Sequence, residues 1–165
     1  MIKTLLATLI IASVSVVSTH AKTVKLPSAD SAVASITIPD SWEPETTDNG
    51  VYGNSPDKAV FFSIVAVDSE KGMNSEIEDT FAMLKEHKVE LDKSSKKDNK
   101  FKVNGLDAEE MIFQGKDEDG PASISMSFIT VKDKVLILTY WVSTEDEKKH
   151  QAEVGKILNS LKPTS

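Results

Sequence analysis

The sequence predicts an α+β fold in which a largely antiparallel central sheet is sandwiched between helices. Three observations carry that expectation. Two runs, "AVFFSIVAV" (Ala59–Val67) and "VLILTYWV" (Val135–Val142), are apolar at odd and even positions alike, so each strand needs cover on both faces. Two other stretches, Asn74–Lys88 and the segment after Thr144, switch to helical period. Between residues 101 and 142 only short turns separate the strand-like segments, and short turns permit only antiparallel pairing.

Each element follows in order. Lys22–Ser31 is a lead-in with a brief strand at Thr23–Leu26. Ala34–Ile38 alternates, stops at Pro39 and is followed at once by Trp42. Asn49-Gly50 marks a turn into Val51-Tyr52, and Asn54-Ser55-Pro56-Asp57 marks the next, before the first two-sided apolar strand. Over Asn74–Lys88, Ile77, Phe81, Leu84 and Lys88 share a helical face, and Ser75 with Glu78 reads as a capping box. Glu76, Glu78 and Asp79 near its start, and Lys85 and Lys88 near its end, suit the helix dipole.

Strand signals resume at Val89–Asp92 and Phe101–Val103, and Asn104-Gly105 is a two-residue hairpin turn into Leu106–Gln114. Gly115–Pro121 is a polar loop. Ser123–Val131 then alternates, with Ile124, Met126 and Phe128 on one face and Ser123, Ser125 and Ser127 on the other. Lys132-Asp133-Lys134 turns the chain into the second two-sided strand. Thr144 and Glu147 open a last helix whose Val154, Ile157, Leu158 and Leu161 point one way, and Pro163 stops it.

Residues 1–21 have the layout of a cleaved secretory signal peptide. Lys3 supplies positive charge, Leu5–Val17 is apolar, and Ala21 offers a small residue at the cleavage edge. That run is shorter than the about 20 apolar residues a membrane span needs, so no integral membrane segment is expected after cleavage. Export to the periplasm or beyond is the expected localisation. Residues 22–165 have the length of one domain, large enough to fold without disulfides or metal. There is no Cys, which removes thiolate chemistry, and all 19 basic residues are Lys against 26 acids. A net charge of −7 repels nucleic-acid backbones, and the absence of Arg disfavours tight phosphate recognition.

Four stretches together resemble the PsbP-like family, the fold of the extrinsic photosystem II subunit and its bacterial secreted relatives. They are "SITIPDSWEP", "AVFFSIVAV", "KVNGLDAEEMIFQG" and "VLILTYWVSTEDEKKHQAEVGKILNSLKP", spanning about residues 34–163. The resemblance implies a six- or seven-stranded antiparallel sheet between helices, and Trp42 packed as a plug beneath the sheet's end. It implies binding or assembly roles and brings no catalytic residues with it. The short lead-in before Ala34 and the missing lipidation Cys set this chain apart from photosystem subunits and from lipid-anchored relatives.

Candidate chemistry is sparse. Trp141 lies in the most apolar run and is expected in the core. His87 ends the first helix, and His150 has Asp146 one turn before it and Glu153 almost one turn after. Charge pairing on the helix surface accounts for that spacing better than a metal site does. "KDEDG" (Lys116–Gly120) lacks the closing bidentate Glu of a calcium loop and reads as a solvated turn. Ser94-Ser95-Lys96-Lys97 has the serine–lysine spacing of penicillin-interacting enzymes without their Lys-Thr-Gly partner, so it carries no catalytic reading. Catalytic, cofactor and metal residues are therefore all expected to be absent.

One surface stands out. Lys93, Lys96, Lys97, Lys100 and Lys102 gather cations in an acidic chain, either as a contact for an acidic partner or a membrane surface or as protection of an exposed strand edge. The expected function is a non-enzymatic, exported module that binds another envelope or secreted protein or assists envelope assembly. The alternative is a carrier of a small apolar ligand between sheet and helix, with room left by the serine face Ser123–Ser127.

Overall fold

A computed structural model describes residues 20–164. The expected signal peptide therefore lies almost wholly outside the described residues. Ten strands and two α-helices appear: β1 Ala21–Leu26, β2 Ala34–Pro39, β3 Glu45–Thr46, β4 Gly50–Asn54, β5 Val60–Val67, α1 Glu70–Glu86, β6 Glu90–Val103, β7 Leu106–Lys116, β8 Pro121–Val131, β9 Lys134–Ser143, α2 Glu147–Asn159 and β10 Lys162–Pro163. A 3-10 turn, Asp40–Trp42, follows β2.

The main sheet has seven strands in the order β3-β4-β5-β9-β8-β7-β6, and every neighbouring pair is antiparallel. The two apolar runs become β5 and β9, side by side at its centre, which is why both of their faces needed cover. Asn104-Gly105 makes the tight β6–β7 turn with both residues at positive φ, 50° and 85°, the backbone a two-residue hairpin of this hand demands. Gly50 has a different reason to lack a side chain: an added Cβ would stand 2.1 Å from the Ile64 carbonyl oxygen.

Contrary to the single sheet the sequence suggested, β1, β2 and β10 form a separate three-stranded sheet. Its Leu26, Ile36 and Ile38 share one core with Phe62, Ile64, Leu136 and Leu138 of the main sheet, and Ile157 and Leu161 complete it. One face of the main sheet thus shares its core with this small sheet, against whose β2 α2 packs. On the opposite face Leu84, Phe81 and Ile77 of α1 pack over Ile124, Met126 and Ile137. Asn104 ties the layers at one corner, its side-chain amide donating to the carbonyls of Asn159 and Leu161 at 2.7 Å each.

Several local expectations need correction. α1 starts at Glu70 rather than Asn74, because Ser69, not Ser75, is the N-cap and accepts from the Gly72 amide at 3.1 Å. Lys88 lies beyond the helix at φ 58°. α2 is preceded by Asp146 at the cap position, without a side-chain capping bond. The strand expected at Val89–Asp92 starts at Glu90, and with Phe101–Val103 it forms one long strand, β6, interrupted by a register shift between Asp92 and Lys97.

Candidate functional site

Strand β6 is an edge of the seven-stranded sheet, so all five lysines singled out in the sequence lie on one exposed edge. They do not form an uninterrupted basic surface. Lys96 pairs with Asp98 at 2.9 Å, and across the hairpin Lys100 pairs with Glu109 and Lys102 with Asp107, both at 2.5 Å. Glu109 holds the Lys100 ammonium above the ordinary lysine range. Lys93 stands 5.7 Å from the Phe81 ring centroid, within cation–π reach. Lys97 has no ion pair among the described residues. It faces the side of the sheet opposite α1, by its register opposite Ile112.

Beside this edge runs an apolar groove of about 480 Å³ between α1 and the sheet. Met73, Ile77, Met111 and Phe128 floor it, with Lys96 and Lys100 on its rim. The serines expected to leave room under a helix are elsewhere. Ser123, Ser125 and Ser127 share the face of Tyr140 and Leu138 and are buried, and they line neither this groove nor the cleft described next.

A larger cleft, about 650 Å³, opens at the end of the main sheet. There the β4–β5, β7–β8 and β9–α2 turns meet the C-terminal end of α1. Trp141, expected in the core, is only half-buried and lies on this cleft's floor. Its ring stands 6.5 Å from Phe61 and 5.9 Å from His87, tilted against both. Its indole N–H donates to Asp117 Oδ2 at 3.1 Å. "KDEDG" is the solvated turn the sequence suggested: Asp117 Oδ1 accepts the amides of Asp119 and Gly120. Sequence reading missed this cleft because Phe61 and Trp141 sit in runs that look buried throughout.

His150 also differs from expectation. It is buried, and its Nε2 meets Asp57 Oδ2 at 3.0 Å, rather than pairing with Asp146 or Glu153 on the helix surface. The same carboxylate oxygen takes the Lys149 ammonium at 2.5 Å, while Oδ1 accepts from the Ser55 hydroxyl at 2.6 Å and the Ala59 amide at 3.3 Å. Ser55 is itself fully buried and its oxygen accepts the Val60 amide. Ser55, Asp57 and His150 thus resemble a nucleophilic triad only in composition. The serine donates to the aspartate instead of facing the histidine, an arrangement that locks the β4–β5 turn onto α2.

The topology defines a class: a seven-stranded antiparallel sheet with two helices, the PsbP-like fold. Solved structures bear this out. The solution structure of cyanobacterial PsbP (CyanoP) from Synechocystis sp. PCC 6803 superposes with a TM-score of 0.58 at 8% identity, over 91% of this chain and 96% of that one. LpqN of Mycobacterium tuberculosis, described as involved in cell envelope biogenesis, gives 0.50 at 11% identity over 88% and 92%. No curated protein matches the sequence. The chain belongs to the DcrB family, whose sequence model matches residues 34–160. No helix among the described residues is long and apolar enough to cross a membrane.

Proposed function

We propose that this protein is a non-enzymatic accessory module of the cell envelope, exported to the periplasm or beyond, that binds an acidic partner protein. Membership of the DcrB family over residues 34–160 is the observation that carries this reading. The likeness in fold to LpqN, a protein described as involved in envelope biogenesis, supports it, as does the leader-like residue pattern of 1–21. The lysine-bearing edge β6 is the contact surface, with exposed Lys97 and Lys96 contributing charge and the adjoining groove contributing apolar area. Wild-type protein should retain one and the same partner from an envelope extract at low salt, where surface charges act over about 10 Å or more. Lys96→Glu with Lys97→Glu should abolish that retention and leave the melting temperature unchanged. Equal retention by the double variant would remove β6 as the contact.

The groove itself favours a second reading, carriage of a small apolar ligand, because it lies between helix and sheet and is floored by two Met, an Ile and a Phe. Native mass spectrometry of protein purified from its own host should then show a bound apolar molecule that a groove-filling Met111→Trp variant lacks. Ligand-free wild-type protein would end this reading.

A further inference from the structure

We infer that the cleft at the end of the main sheet binds an organic cation, an alkylammonium or guanidinium group held over the Trp141 ring. This site shares no lining residue with the groove and lies apart from the lysine edge.

The aromatic floor is the first argument. On the same face of β9, Ile137 and Thr139 are each 1% exposed, yet the next residue in that row, Trp141, is left partly exposed, as is its cross-strand neighbour Phe61. The cause is the length of α1, which ends at Glu86 and covers the sheet no further. Large rings left open in central strands are an unmet demand for cover. An aromatic face is also electron-rich and attracts cations lying over it, Trp most strongly.

Charge on the walls is the second. Six carboxylates line the cleft: Asp57, Asp117, Glu118, Asp119, Glu145 and Asp146. Most are already engaged. Asp57 holds Lys149 and His150, Asp117 holds the Trp141 indole, Glu118 pairs with Lys88, and Asp146 is 3.8 Å from Lys149. Asp119 and Glu145 have no ion-pair partner among the described residues. The lining ammonium, Lys58, is drawn aside by Glu43 at 2.9 Å.

Third, the carboxyl end of α1 is at the cleft, where its capping residue His87 joins the lining. Seventeen residues of aligned peptide dipoles place partial negative charge there, which again favours a cation. The Trp141–Asp117 hydrogen bond fixes the indole beforehand, so little ordering is left for the ligand to impose.

The chemistry is shared by a free polyamine and by a basic side chain of a peptide. Titration calorimetry of the purified protein with spermidine and with pentalysine distinguishes those sources, and succinate serves as the anionic control. At least one cation should bind saturably and succinate should not. Spermidine alone points to a small-molecule site, and pentalysine to a peptide site. Trp141→Leu, which keeps every charge, should weaken binding about tenfold, and so should Asp119→Asn with Glu145→Gln. If Trp141→Leu lowers the melting temperature, Phe61→Leu takes its place. Undiminished affinity in these charge-preserving variants would reduce the effect to general attraction by an acidic protein and overturn the site. So would the absence of saturable binding by either cation.

Discussion

Replacing Trp42 with Ala should destabilise the fold by about 3–5 kcal/mol, the range for emptying a buried aromatic position. For a chain of this size that is a fall in melting temperature of roughly 10 °C or more. Trp42 ends the 3-10 turn after β2, is 0% exposed, and packs edge-on against Phe62 at 5.6 Å in the core shared by both sheets. It therefore bridges the layers where no backbone ladder joins them. Its indole N–H is a buried side-chain donor with no partner among the described residues, a feature that costs stability. Trp42→Phe removes that orphan donor while keeping a ring against Phe62, so it should lose clearly less than the Ala variant. Chemical denaturation of the three proteins tests both statements. A Trp42→Ala protein within about 1 kcal/mol of wild type would contradict the role of plug, since surface substitutions rarely exceed that.

Trp42 was also legible in the sequence, and the reason separates what could be read from what could not. The alternating strand and Pro stop of "SITIPDSW" left Trp42 open between core plug and exposed aromatic, and the resemblance to the PsbP-like pattern favoured the plug. The central pair β5 and β9 was legible because both faces were apolar, and the β6–β7 hairpin because Asn-Gly meets its positive-φ requirement locally. Alternation in Ala34–Ile38 told which side chains are buried, but not in which sheet the strand lies, and β2 pairs with β1 and β10 rather than with the main sheet. In β6 the register shift between Asp92 and Lys97 and the lack of apolar alternation hid a continuous strand. Trp141 misled for a third reason. Its neighbours in sequence are core residues, but its exposure depends on where a distant helix stops. The Asp57–His150 contact, between residues 93 apart, left no local trace at all.

That contact sets up the second large effect. Asp57→Asn should cost about 1–3 kcal/mol at pH 7, because buried His150 and the Lys149 ammonium lose the carboxylate they share. The carboxyl of Asp57 is held well below the usual carboxylate range, first by Lys149 and then by the Ser55 hydroxyl, with the Ala59 amide and His150 adding to it against the opposing effect of burial. A carboxylate whose folded pKa is depressed stabilises the fold above the unfolded value. That contribution drains away as pH falls below it toward the folded value. With an unfolded Asp near about 3.9, the melting-temperature gap between wild type and Asp57→Asn should shrink as pH falls below about 4. Other carboxylates titrate in both proteins, so loss of the gap in that range reports Asp57. A gap that persists undiminished to about pH 2.5 would place the stabilisation in the shape of the turn instead of the charge. Absence of any gap at pH 7 would mean that Ser55 and the backbone hold the β4–β5 turn on α2 without it.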